Sequence, residues 1–149
     1  MKEQLKQERK KSFKLLLILL TVFFVMMGCF SSSFAQKVES VKIGIIEPLS
    51  GSLALIGDKN LKGYQLAIKR INDGGGIKSL GGAKLIPLIG DSEGKPEVAM
   101  TQSERLIDQG AVLLVGAYQS AAVFSATQVA EKFKTPFVVS LGVADPITE

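Results

Sequence analysis

Residues 41–57, VKIGIIEPLSGSLALIG, decide the fold. Val41, Ile43, Ile45 and Ile46 make a short β-branched run, which reads as a strand buried on both faces, the kind found in parallel sheets. Pro48 cannot donate to a ladder, so the strand should stop near it. Ser50, Gly51, Ser52 and Gly57 then describe a turn extending to Gly57, and Gly51 permits backbone angles and a closeness of approach that a Cβ would block. In open α/β sheets the loop leaving the carboxyl end of a central strand is where ligands sit, which makes Ser50 and Gly51 candidate binding residues. The plainer alternative is an ordinary strand-to-helix turn.

Working outward, residues 58–72 place Leu61, Tyr64, Ile68 and Ile71 at helical spacing, with Lys59, Lys62, Lys69 and Arg70 mostly on the other side. Asp73-Gly74-Gly75-Gly76 should end that helix, because glycine takes the left-handed cap cheaply. Residues 84–90, KLIPLIG, read as a second strand whose internal Pro87 places it at a sheet margin. Pro96 suits a first helical position, and residues 96–109 carry a moderate helical pattern closed by Gly110. Residues 111–116, AVLLVG, form an uninterrupted apolar strand for the sheet centre. Ser120 is placed to cap a helix over 121–133 with Val123, Phe124, Ala130 and Phe133 inward, and 136–140, PFVVS, is a fourth strand. The β-α-β-α-β-α-β count predicts an α/β fold, a doubly wound parallel sheet in a three-layer sandwich. An order of 2-1-3-4 sends the proline-bearing strand to an edge and makes the exit loops of strands one and three line one crevice.

The start of the chain reads differently. Lys2, Lys6, Arg9, Lys10, Lys11 and Lys14 lead into an apolar stretch over 15–27, too short to span a bilayer, and Ser33-Phe34-Ala35 offers small residues at the positions a leader peptidase inspects. Residues 1–35 are therefore expected to be a secretory signal peptide cut before Gln36, giving a periplasmic product. Two alternatives are lipidation at Cys29, after Met26-Met27-Gly28, and a leader retained as an anchor. The formal charge of +4 belongs to this segment, since residues 36–149 hold 12 basic and 12 acidic side chains. The high pI thus says nothing about nucleic acid, and no basic stripe with interleaved aromatics occurs. Cys29 is the one cysteine and the chain has no histidine. Residues 36–149 accordingly have no disulfide framework or thiol nucleophile, and lack the commonest general base and metal ligand.

Catalytic motifs are missing as well. There is no GxxxxGK[ST] loop, no GxSxG elbow, and Gly74-Gly75-Gly76 follows a helix rather than a strand, so no cofactor is expected and an enzyme is disfavoured. Asp91, Glu93 and Glu97 read better as a solvated loop and helix start than as a cation site. Ser120 reads either as a plain cap or as a ligand group, offering its hydroxyl and the free N–H groups of Ser120, Ala121 and Ala122 to a carboxylate. Ser140 and the loop over 140–144, with Gly142 and Ala144, would add amides beside it. Tyr118 and Ile56 are candidate apolar walls, with loop packing as the alternative.

The series KIGIIEPLSGSLALIGDKNLKGYQLAIKRINDGGGI, VGAYQSAAV and TPFVVSLGVADPITE resembles the N-terminal lobe of the extracytoplasmic solute-binding proteins for leucine, isoleucine and valine, of the type I periplasmic binding fold. The resemblance covers nearly all of residues 41–149. It implies an amino acid held between two lobes, handed to the membrane permease of an ABC importer, without chemistry. The family's carboxylate-binding serine falls on Ser120 and its backbone position on Gly142. Its hydroxyl position falls on Ala144, and Ile56 stands where related binders often have Tyr. The resemblance also implies a second lobe, so that 36–149 would be one lobe of a longer protein and the chain a truncated fragment. A membrane-anchored sensor ectodomain of the same fold is the alternative function.

Overall fold

The computed structural model describes residues 1, 14–21 and 38–147. The chain divides into two units, Met1–Gln36 and Lys37–Glu149. In the first, residues 14–21 are helical and exposed. Cleavage after Ala35 and lipidation at Cys29 both fall outside the described residues. No helix among the described residues is long and apolar enough to cross a membrane.

The second unit runs β1 (Ser40–Glu47), α1 (Ala54–Asp73), β2 (Lys84–Asp91), α2 (Pro96–Asp108), β3 (Leu113–Gly116), α3 (Ser120–Lys132) and β4 (Phe137–Val139). Short 3-10 turns occupy Gly51–Leu53, Lys78–Leu80 and Asp145–Ile147. The strands form one sheet in the order β2-β1-β3-β4, all parallel, as the sequence predicts. Ile45 lies opposite Ile89 on one side and Val115 on the other. Pro87, opposite Ile43, sits on the edge strand where its missing N–H costs no ladder bond.

Two apolar layers flank the sheet. Under α2 and α3 the core contains Ile46, Leu106, Leu114 and Val123 with a set of alanines, while under α1 it contains Ile45, Ile68 and Leu85. Strand β1 is buried only over Gly44–Glu47; its first four residues alternate between exposed and half-buried, because the strand starts beyond the cover of the helices.

Several local expectations are corrected. The turn after β1 is shorter than expected: α1 starts at Ala54, four residues before the predicted 58, so Ile56 and Gly57 are helical. Gly57 is there for packing. A Cβ on it would stand 2.0 Å from the Pro48 carbonyl oxygen, so the glycine lets the first turn of α1 lie against the chain leaving β1. Phe124 and Phe133, expected inward, are 41% and 40% exposed. Val123 and Ala130 are inward as expected, Ala122, Ala126 and Val129 complete the inner face of α3, and Phe133 lies under the Lys132 ammonium, 5.0 Å from its ring centre. Ser120 is not a cap. It is the first residue of α3, Gln119 is the N-cap, and no side chain closes that helix end.

Candidate functional site

Because the four strands are parallel, their exits share one rim, and the loops after β1 and β3 lie on the same side of the sheet. Hydrogen bonds stitch the exits of β1, β2 and β3 together. Asp91 Oδ1 accepts from the Leu49 and Glu93 amides, each at 2.8 Å, and the Ser92 amide donates to the Glu47 carbonyl at 2.9 Å. Burial pushes the Asp91 carboxyl up, but hydrogen bonds from the Glu93 amide, the Ser50 hydroxyl and the Leu49 and Ser50 amides outweigh it and hold the group below its ordinary value. Gln119 Nε2 donates to the Gly94 carbonyl at 3.1 Å, tying the β3 exit to the loop after β2. The β3 exit is itself a tight turn: Gly116 and Ala117 have φ of 112° and 55°, and the Ala117 amide donates to the Ile46 carbonyl at 2.6 Å.

From this turn Ser120 meets the loop after β4. The Val143 amide donates to Ser120 Oγ at 3.3 Å. Gly142 lies on α3, where a Cβ would stand 2.8 Å from Val123 Cγ2, so only glycine lets the loop approach. Ala121 and Ala144 are exposed beside them, and Tyr118 and Ile56 are half-buried. The structure therefore brings Ser120, Gly142 and the backbone of Val143 together. Ser50 is turned to Asp91, and Gly51, exposed with φ 73°, lies over the loop after β2, where its Cβ would be 3.8 Å from the Glu93 carbonyl oxygen. Ser140 is drawn elsewhere, to Tyr64.

That second contact belongs to a cluster the sequence reading missed. Glu47, at the end of β1, is fully buried. Asn60 Nδ2 donates to its Oε2 at 3.1 Å, while Oε1 has no hydrogen-bond partner. Burial pushes the carboxyl up, and hydrogen bonds from Asn60 and Tyr64 only partly offset it. The Tyr64 hydroxyl is pushed up by burial first; it accepts from Ser140, and the charge and acceptor oxygen of Glu47 raise it further. Above these groups lies an open cleft of about 310 Å³, lined by Lys59, Asn60, Gly63, Tyr64, Ser140 and Leu141. The available signal was Glu47 itself, a lone carboxylate closing an apolar run immediately before Pro48. No group of three or more metal-ligating side chains occurs among the described residues.

Residues 40–148 match the periplasmic binding protein family. The chain belongs to that family. Among its relatives is the Leu/Ile/Val-binding protein homolog 8 of Brucella suis biovar 1 (strain 1330), 37% identical over 119 residues that cover 79% of this chain and 28% of the relative. The fold is also that of the branched-chain amino acid transporter substrate binding protein LivJ from Streptococcus pneumoniae, solved in complex with isoleucine. LivJ has a TM-score of 0.68 and 31% identity, over 73% of this chain and 31% of LivJ. A solute binding protein of an ABC transporter from Rhodopseudomonas palustris, solved with benzoate, has a TM-score of 0.64 and 27% identity, over 74% of this chain and 29% of its own. This chain thus spans about three-tenths of the length of the relatives it matches. The resemblance read from the PLSG turn and the residues around Ser120 is a family relationship, and the sheet is the type I periplasmic binding fold in part.

Proposed function

We propose that residues 40–148 serve as the N-terminal lobe of an extracytoplasmic solute-binding protein. The protein captures an amino acid or similar small carboxylate ligand between two lobes and delivers it to the permease of an ABC importer, without chemistry. The observation that carries this reading is the pairing of Ser120 Oγ with the Val143 amide at 3.3 Å. The two groups are donors of different origin, one from the start of α3 and one from the loop after β4. A ligand carboxylate arriving there accepts from both, releasing the serine proton from solvent and the amide from the serine. The first N–H groups of α3, at Ser120, Ala121 and Ala122, favour the same charge. Gly142 and Ala144 bring backbone to it, and Tyr118 and Ile56 are its candidate apolar walls, while Ser50 and Gly51 serve the Asp91 turn instead. The relatives support the class of solute: one of the matched structures holds isoleucine and another benzoate, both carboxylates.

Affinity should be low for this lobe alone. A micromolar complex needs about 8 kcal/mol, and one or two charge-assisted hydrogen bonds supply about 2 to 5. L-isoleucine titrated into the labelled chain should therefore shift the amides of 120–122 and 142–144 only at millimolar concentration. Ser120→Ala should weaken the response by about 1 to 3 kcal/mol. Micromolar affinity, or shifts that ignore both loops, overturns the reading. Export is proposed through residues 1–35, by cleavage after Ala35 or lipidation at Cys29. The mass of the chain recovered from a bacterial envelope distinguishes the two, and a retained leader would favour an anchored sensor.

A further inference from the structure

The two edges of the sheet are finished differently. Along β2 the Lys84 and Ser92 amides donate to the Glu39 and Glu47 carbonyls, so alternate residues from Lys84 face β1, and Leu85, Pro87 and Ile89 turn their backbone outward. All three outward positions are blunted. Asn72 Oδ1 accepts from the Leu85 amide at 2.8 Å and its Nδ2 donates to the Leu85 carbonyl at 2.9 Å. Pro87 has no N–H, and Arg105 Nη2 donates to the Ile89 carbonyl at 2.8 Å. At the other edge the Leu114 amide donates to the Pro136 carbonyl at 2.9 Å, and Val138 lies opposite Val115. Val138 therefore spends its backbone on β3, while Phe137 and Val139 turn N–H and C=O to the open side, where no side chain of the described residues reaches them. The adjoining face is open too. Along the row Ile45, Val115, Val138 burial falls from complete, through partial, to 50% exposure, because α1 lies over β1 and β2.

We infer that β4 is a pairing edge for a second copy of this chain, the two β4 strands meeting antiparallel across a twofold axis through Val138. The unspent groups are symmetric about that residue. With Val138 opposite Val138, Phe137 of each copy lies opposite Val139 of the other, and each such pair exchanges both N–H···O bonds. The two Val138 side chains then form the close, non-hydrogen-bonded pair on the exposed face. A twofold axis sets every residue near it against its own kind, so a charged edge would repel itself. This edge is uncharged: residues 135–144, TPFVVSLGVA, hold no Lys, Arg, Asp or Glu. The flanking Lys132 and Lys134 are already paired within the copy, with Glu104 and Glu131. Antiparallel pairing turns the strand exits of the two copies to opposite ends of the joined sheet, so their Ser120 sites lie apart. The inference stands on the β4 edge and not on Ser120.

The test is sedimentation of the full chain over a concentration series. The parent should sediment as a dimer that dissociates on dilution. Val138→Lys and Val138→Glu should each raise the dissociation constant about tenfold or more, since like charges directly opposite each other destabilise a strand pair. Mixed in equal amounts, the two variants should recover the dimer, because position 138 faces itself across the axis. Ile89→Lys, in the same row but at the blunted edge, and Ser120→Ala should leave the association unchanged. The inference is overturned by a parent that is monomeric throughout, or by a mixture of the charged variants that stays monomeric. It is equally overturned by association that survives both charged variants, which would assign it to another face or to residues 15–27. Should the charged variants fail to fold, amide exchange of the parent decides: Phe137 and Val139 should be protected in concentrated solution and lose protection on dilution, and exchange independent of concentration overturns the pairing.

Discussion

On one face of the sheet α2 and α3 fully bury Leu106, Leu114 and Val123 among alanines at 99, 122 and 126, whereas on the other α1 alone covers Ile45, Ile68 and Leu85. The first face is dry, apart from Ser103, whose hydroxyl is spent on the Ala99 carbonyl at 2.7 Å. Small side chains there let two helices settle close to the strands. The second face is thinner and wetter: Tyr64 and Val115 are only partly buried, and Glu47, Asn60 and Ser140 carry polarity down to the strand ends. The difference teaches where this lobe can be changed cheaply. Rigidity comes from the α2–α3 side, and the cleft beside Asn60, Tyr64 and Ser140 lies on the side where packing leaves room for polar groups.

The comparison can be broken most directly by truncation on both faces. Leu114→Ala should cost about 4 kcal/mol in a denaturant melt and Ile68→Ala about 2, because the site around Ile68 is nearer to solvent and relaxes into the gap. Equal losses would mean that the faces are equally packed. Gly57→Ala should cost about 2 kcal/mol or slightly more, since the added methyl meets the Pro48 backbone rather than a flexible side chain. Asp91→Asn should cost about 1 kcal/mol at neutral pH, with two backbone amides losing a charged acceptor. Because the Asp91 value is lowered by folding, its contribution is present above the ordinary carboxylate range and disappears as pH falls through the lowered value, so the variant and the parent should converge in acid. Glu47 should behave in the opposite sense. Its value is raised by folding, so its neutral form favours the fold below the ordinary value of 4.5, and that advantage is lost as pH rises through the raised value. Glu47→Gln should therefore gain stability relative to the parent as pH rises, in thermal melts across that window. A variant that loses stability at neutral pH would show that Asn60 and Tyr64 fully compensate the buried charge.

Much of the architecture was legible. The apolar run over 111–116 is read as a central strand and the Pro87-bearing run as an edge strand, and together they give the order β2-β1-β3-β4, since a proline is tolerated only where no partner awaits its N–H. Ser120 was legible as a special position with two readings, cap or ligand group, and the structure removes the first. Its hydroxyl oxygen instead accepts from an amide 23 residues away, a contact that no local pattern encodes. Gly57 was misread as part of a loop, because a glycine looks the same in sequence whether it supplies a turn or makes room for a neighbouring backbone. The Glu47 cluster escaped altogether. Asn60 and Tyr64 carry the periodicity of an ordinary amphipathic helix, and their shared partner lies on a strand 13 and 17 positions earlier.

By itself, the sequence determined the alternation of strands and helices, the parallel sheet, its edge and its family, because these follow from hydrophobic period, glycine and proline positions and a few contiguous motifs, all of which are local. The tertiary structure alone decided that Ser120 faces Val143, that α1 presses its Gly57 onto Pro48, and that Glu47 is buried beneath Asn60 and Tyr64. Each of these depends on where two separate segments stop relative to one another. A shift of one helical turn, invisible in composition, changes which polar groups meet.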